Sequence, residues 1–406
     1  MDLVFVHQNF PAQFVHIARD LRRSPGVRAF VVTDLANENA DFLPAARYRF
    51  DPQKVAAPER FSRNYALHAT RGRMAARALA ALQKQGVRPE VIVGHLGWGE
   101  TLFVRDVFPD AKLIVHAEFY YSHKGADVGF DPEFQGLATL DRAIELRAKN
   151  AAIVAAMTEA DVGVAPTSWQ ASRFPDEFQP KLTILHEGID TDQLRPNPKA
   201  RFAVPGSDMT LGPQDEVITF VNRKLEPYRG YHIFMRALPK ILAARPRAHA
   251  VIVGGAGVSY GPAPANGESW KDRFFNEVAE RLPRERVHFV SRIPFADFVA
   301  LMQISAAHVY LTYPFVLSWS LLQAMSVGAP VIASKTAPVE EVVEHGVNGV
   351  LVDFFDIDGL AERVVEALRR PAAFLPLREA ARKTVQERFD LSRRCLPGWR
   401  ELIGTD

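Results

Sequence analysis

Arg223 and Arg229 place two guanidinium groups on one short segment, Phe220-Val221-Asn222-Arg223-Lys224-Leu225-Glu226-Pro227-Tyr228-Arg229-Gly230, with a helical pattern opening at Tyr231. A strand end followed by a helix start favours an anion, because free N–H groups and the helix dipole point at it. Guanidinium forks bind phosphate oxygens in pairs, so a diphosphate suits this spacing. An isolated arginine pair more often forms local ion pairs at the surface, here with Glu226.

A second chemical candidate is His95, in His95-Leu96-Gly97-Trp98-Gly99-Glu100, directly after the apolar run Val91-Ile92-Val93. A neutral imidazole both donates and accepts, so His95 can serve a ligand or be satisfied within its own loop. A third is the loop from Glu118 to Phe134, where Tyr120 and Tyr121 neighbour the carboxylates Glu118, Asp127 and Asp131. Aromatic faces with carboxylates suit a carbohydrate acceptor, although an ordinary packing loop has the same composition. Gly254-Gly255-Ala256-Gly257 is too short a signal to assign. No zinc motif, nucleophile elbow or phosphate-loop Gly-Lys-Ser occurs, so a catalytic metal is not indicated.

These residues need strands that end near them. Short β-branched runs alternate with helical patterns at 3–6, 30–33, 91–93, 113–116, 162–165 and 182–185, then again at 217–221, 249–253, 287–290, 308–312, 331–334 and 350–353. Such alternation predicts parallel sheets covered on both faces. The breaker-rich segment from Arg195 to Ser207 separates them. The expected organisation is α/β, with two doubly wound Rossmann-like domains, 1–187 and 188–384, facing each other across a cleft. A C-terminal helical segment, 385–406, is expected to pack back on the first domain. Ligands of open α/β sheets bind outside the carboxyl ends of the strands.

The stretch from Pro314 to Ser334 reads as a turn, an amphipathic helix, a glycine stop and a buried strand. Together with the arginine loop it resembles glycosyltransferase family 4, which implies a GT-B architecture. The family's phosphate loop, an Arg followed by a basic residue and Gly, falls on Arg223, Arg229 and Gly230. Its N-domain histidine beside the transferred sugar falls on His95. Its two donor-site glutamates, near the sugar hydroxyls and on the ribose, fall on Phe315 and Gln323. Gln323 can still bond ribose hydroxyls, whereas Phe315 supplies no carboxylate. Amides around Leu317, Ser318 and Trp319 are left to cap a phosphate, and base contacts fall near Arg292. Where the family has a glycine in its first loop this chain has Ala12, acceptable if φ there is negative.

The resemblance implies a retaining hexosyltransferase that needs no metal or other cofactor. It would carry a sugar from a UDP- or GDP-linked donor to a saccharide or lipid-linked acceptor in cell-surface polysaccharide or glycoconjugate synthesis. A catalytically weak sugar-nucleotide-binding protein or complex subunit is the alternative that Phe315 and Gln323 motivate. An epimerase or phosphorylase of the same fold is a further one.

Composition narrows the setting. The 406 residues are 48% hydrophobic with a formal charge of +2, which argues against a dedicated nucleic-acid binder. A single cysteine and no long apolar run point to a cytoplasmic chain. From Arg60 to Arg88 seven basic residues recur along a helical pattern without an acidic one. Such a segment can lie against anionic lipid at the inner membrane face, and a solvated outer face looks the same.

Overall fold

The computed structural model describes residues 1–39, 42–56, 59–134 and 139–405, with the Arg60 side chain also outside the described residues. The chain forms two compact units, Met1–Gly188 with Leu391–Asp406, and Ile189–Asp390.

The first unit is built on β1 (Asp2–Val6), β2 (Arg28–Asp34), β3 (Ala45–Tyr48), β4 (Pro89–His95), β5 (Lys112–His116), β6 (Val162–Ala165) and β7 (Leu182–Ile184). They make one parallel sheet in the order β3-β2-β1-β4-β5-β6-β7. The edge strand β3 escapes a sequence reading because Ala45-Ala46-Arg47-Tyr48 contains no β-branched residue. Alternate side chains separate the faces. Val4, Val6, Val32, Ile92, Leu113 and Val115 pack with Leu79 and Leu82 of the Arg63–Lys84 helix and with Ile153 and Met157 of the Leu140–Glu159 helix. Leu3, Phe5, Val31, Val93 and Ile114 face Phe14, Ile17 and Leu21, joined by Trp399 and Ile403 of the Leu396–Ile403 helix.

The last helix is held by Arg400, bonded to both oxygens of Asp20, and by Trp399 Nε1, which donates to the His186 carbonyl at 3.3 Å. The return to the first unit begins at Leu391, later in the chain than the expected segment 385–406, because Val385 and Phe389 belong to the second unit's core.

The second unit has a two-strand hairpin, with β8 (Phe202–Ala203) inside the segment read as a linker and β9 (Thr210–Leu211) just beyond it. Its sheet comprises β10 (Val217–Lys224), β11 (His249–Gly255), β12 (Val287–Val290), β13 (Ala307–Tyr310), β14 (Val331–Ser334) and β15 (Val350–Val352), parallel in the order β12-β11-β10-β13-β14-β15. Phe220 stacks on Phe234 of the Tyr231–Ala244 helix at 4.6 Å. Among the described residues no helix is long and apolar enough to cross a membrane.

Candidate functional site

In the second unit, β10 delivers Arg223 to the surface while Arg229 is only 6% exposed. A short turn, Pro227–Arg229, ends at Gly230, where φ is 64° and a Cβ would fall 2.3 Å from Leu311 Cβ. Only glycine fits there, and it lets the Tyr231–Ala244 helix start immediately beyond Arg229. Arg229 Nη1 donates to Thr312 Oγ1 at 2.8 Å and to the Val316 carbonyl at 3.2 Å. The Tyr260 ring lies over the guanidinium at 5.2 Å, a cation–π arrangement. Burial works against the charge, but Tyr310, Tyr260 and Glu226 outweigh it and raise the pKa.

Glu226 is buried rather than making the surface ion pair considered from the sequence. Its carboxylate accepts from the amides of Ser259 at 3.1 Å and of Tyr260 and Gly261 at 3.3 Å each. Three amides converging on one buried carboxylate pin the loop after β11 and fix Tyr260 above Arg229. Phe315, only 4% exposed, meets Tyr260 at 4.8 Å and Tyr228 at 5.8 Å, and Tyr228 meets Tyr313 at 4.7 Å. Where a carboxylate was expected, the chain has an aromatic cluster.

Around the Trp319–Ser326 helix the expected amides are partly committed. The Ser318 amide donates to the Tyr310 hydroxyl at 2.9 Å, so it does not stand open as the sequence suggested. Ser318 Oγ accepts from the Ser320 amide as the helix cap. Leu317 is buried, Trp319 and Gln323 are half-buried, and Arg292 is exposed in the loop after β12. Asn348 ties its loop to Val342 and Thr384, a structural role.

In the first unit, adjacent strand ends bring histidines together. His7 follows β1, and His95 and His116 end β4 and β5 in register with each other. The His95 and His116 rings stack at 5.2 Å, and His7 meets His95 edge-on at 5.5 Å. His95 Nδ1 accepts from the Gly97 amide at 2.8 Å, which leaves the neutral ring's proton on Nε2, 3.5 Å from Glu118 Oε2. Behind it, His116 Nε2 lies 2.5 Å from Glu187 Oε1, and His186 Nε2 lies 3.4 Å from Glu187 Oε2.

The network is charge-compensated. Burial opposes a charge on His116, yet Glu187 raises its pKa. Burial opposes a charge on Glu187 too, but His186 and His116 draw its carboxyl down to about 2. His7 lies well below the usual imidazole range, through burial first and then the cations around it. Glu118, the member with a 39% exposed side chain, is drawn down by His95 and His116 against burial.

The loop behind His95 depends on Gly99, at φ 94°, where a Cβ would fall 2.3 Å from the His68 carbonyl oxygen. Glu100, also buried, accepts from the Gln8 amide at 2.9 Å and the Tyr48 hydroxyl at 3.0 Å, which fixes the loop after β1. In that loop Ala12 has φ 40°, so the condition set for an alanine is not met and the residue sits in the left-handed region.

The acceptor candidates divide. Tyr120 packs on Phe174 at 5.6 Å, and Lys149 Nζ lies 3.3 Å from the Tyr121 ring centre. Asp127 and Asp131 are buried, and Asp131 caps its own turn through the Glu133 amide, so only Glu118, Tyr120 and Tyr121 show a partly exposed surface. His116, Glu187 and Glu226 were missed by sequence reasoning, although His116 and Glu187 each stand at or just beyond a strand's carboxyl end. Among the described residues no group of three or more His, Cys, Asp or Glu could hold a metal ion.

Two parallel sheets, each with chemistry at its strand ends, define a protein of the GT-B fold. Residues 25–194 match the model of the glycosyl transferase family 4 group and residues 209–388 that of glycosyl transferases group 1. The chain belongs to the glycosyltransferase family 4 type.

Over 248 residues it is 29% identical to the GDP-mannose-dependent alpha-(1-6)-phosphatidylinositol monomannoside mannosyltransferase of Mycobacterium tuberculosis, covering 57% of this chain and 59% of that protein. It is 23% identical to the D-inositol 3-phosphate glycosyltransferase of Segniliparus rotundus, over 53% of this chain and 46% of that protein. The chain thus spans less than two thirds of the length of these relatives. Two solved structures cover the whole chain and are wholly covered by it. Anabaena HepE in complex with UDP-glucose has a TM-score of 0.67 at 18% identity, and the sucrose-phosphate synthase of Thermosynechococcus elongatus 0.70 at 16%.

Proposed function

We propose that the protein is a retaining, metal-independent hexosyltransferase acting in the cytoplasm. It moves a sugar from a UDP- or GDP-linked donor to a saccharide or lipid-linked acceptor in cell-surface glycoconjugate synthesis. The observation that carries this reading is the pair Arg223 and Arg229 preceding a helix start at the carboxyl end of β10, inside the stretch that matches glycosyl transferases group 1. A leaving diphosphate gains most from fixed cations and amides aimed at the charge it develops. In this reading Arg223 and Arg229 hold the diphosphate, His95 orients the transferred sugar, and Glu118, Tyr120 and Tyr121 face the acceptor.

A second reading is favoured by one observation. Tyr260 covers Arg229, Phe315 packs on Tyr260, and neither ring brings a carboxylate to the sugar. A sugar-nucleotide-binding protein with weak catalysis fits that arrangement.

A donor screen separates the two. The purified protein is melted with UDP-, GDP-, ADP- and dTDP-sugars while release of nucleoside diphosphate is followed by mass spectrometry. Stabilisation with slow hydrolysis is the expected result, and stabilisation without turnover in the presence of acceptors selects the binding protein. No response to any donor removes the diphosphate assignment.

A further inference from the structure

Of the five tryptophans in the chain, Trp98 alone is exposed, at 40%. A large aromatic side chain left in water forgoes the burial that ordinarily places it in a core. Its backbone is fixed on both sides. The Gly97 amide is bonded to His95 Nδ1, and a Cβ on Gly97 would fall 2.9 Å from the His95 ring. Arg71 Nη1 donates to the Trp98 carbonyl at 3.0 Å, and Gly99 is pressed against the His68 carbonyl. The turn is therefore rigid where it carries the indole, and the indole itself stays at the surface.

Beside the indole stand groups that can bond hydroxyls. Its ring centre is 6.1 Å from that of His95, at 30° to it. His95 is 2% exposed, and its Nε2 is buried without a hydrogen-bond partner. Glu118 Oε2 stands 3.5 Å from that nitrogen, on a partly exposed side chain. A flat apolar face, an unanswered N–H donor and a carboxylate thus gather beyond the carboxyl ends of β4 and β5.

We infer that Trp98 is the stacking platform of a pyranose-binding subsite. A pyranose ring has an apolar C–H face broad enough to cover an indole, and hydroxyls around it that both donate and accept. The face lies on Trp98, while the hydroxyls accept from His95 Nε2 and donate to Glu118. An open-chain polyol brings the same hydroxyls without a rigid face, and a planar aromatic ligand brings a face without the hydroxyls. The pyranose is the hexose of the donor or a sugar of the acceptor, and the chemistry of the subsite is the same for both. The inference rests on the sugar-transfer reading for bringing a sugar to His95.

The experiment is fluorine NMR of the full chain labelled with 5-fluorotryptophan, in which the line absent from Trp98→Phe belongs to Trp98. The probes are methyl α-D-glucopyranoside and methyl α-D-mannopyranoside, with D-sorbitol as the open-chain control, and UDP- and GDP-hexoses beside UDP and GDP alone. The Trp98 line is expected to shift with a pyranose probe and to stay in place with sorbitol at the same concentration. A shift with the methyl pyranosides assigns the platform to the acceptor. A shift with a nucleotide hexose that its nucleoside diphosphate does not produce assigns it to the transferred sugar. Trp98→Ala should weaken binding of the active probe about tenfold in saturation-transfer titrations, with Trp98→Phe keeping part of it. A Trp98 line that no pyranose probe moves, or that sorbitol moves equally, overturns the inference. Nucleotide hexoses that stabilise the protein, while neither they nor the pyranosides move the line, would overturn the platform and leave sugar transfer standing. Pyranosides that move the line of a protein no nucleotide hexose stabilises would do the reverse.

Discussion

The strand ends of the two sheets solve opposite electrostatic problems. At the first sheet, buried imidazoles and carboxylates are matched to one another: Glu187 to His116 and His186, Glu118 to His95. Each charge there already has its counter-charge within the unit. At the second sheet, Arg229 is held by neutral oxygens and an aromatic ring, and the nearby carboxylate of Glu226 is spent on backbone amides. The first arrangement balances its charges without a ligand, while His95 Nε2 and His116 Nδ1 are buried without a full hydrogen-bond partner. The second holds its cation with neutral oxygens, a ring and a carboxylate that bonds elsewhere, so the charge is only partly offset before an anionic substrate arrives.

The comparison breaks most sharply at Arg223 and Arg229. Arg223→Ala is expected to cut kcat/KM for nucleoside diphosphate release by about 100-fold while leaving the melting temperature near wild type, since Arg223 is exposed. Unchanged turnover and donor affinity would remove the diphosphate role.

Glu187→Gln should instead act on stability, by about 3 kcal/mol, because it strands a buried imidazolium. The pH dependence follows from the two shifts. The raised pKa of His116 contributes stability fully present below the unfolded value of 6.5 and lost as pH rises through the folded one. The lowered pKa of Glu187 contributes stability present above the unfolded 4.5 and lost as pH falls toward about 2. The variant's deficit is therefore greatest between those unfolded values. Denaturation curves across that range check it, and a deficit independent of pH would mean the pair is held by packing.

Phe315→Glu sharpens the other side, since it sets a carboxylate against Tyr228 and the Tyr260 ring that covers Arg229. We expect a loss of about 2 kcal/mol in stability and no gain in turnover; faster donor hydrolysis would show a crippled active site awaiting its acid. Tyr260→Ala uncovers the guanidinium and should tighten donor binding about fivefold by calorimetry, the value of one cation–π contact. An unchanged Kd would mean that the ring and the donor do not compete. The smallest effect is at the first loop, where Ala12→Gly relieves a left-handed alanine and should raise stability by about 1 kcal/mol in thermal melts.

What the sequence disclosed follows from how local each signal is. The strands of both sheets are continuous runs, because parallel strands are buried on both faces, and β3 was missed for want of a β-branched residue. Gly230 and the two arginines lie on one segment, so they could be read together. The histidine cluster could not be, since His7, His95, His116 and His186 meet only through the strand order, and each alone resembles an ordinary core histidine. The same holds for Glu226, whose partners lie at Ser259, Tyr260 and Gly261, beyond an intervening helix and strand. Phe315 was legible as a substitution but not as a packing solution, because the rings that meet it, Tyr228 and Tyr260, come from two other segments.

The helix that closes the first unit carries Trp399 and Ile403 into a core otherwise made from the beginning of the chain. During synthesis that core is laid down early and stays unfinished until the whole second unit has emerged. The second unit, by contrast, is one uninterrupted stretch and can complete itself first. The half of the protein that is made first is therefore the half that is finished last. A lesion at Trp399 or Ile403 should be felt at Leu3 and Phe5, on the far side of the second unit in sequence.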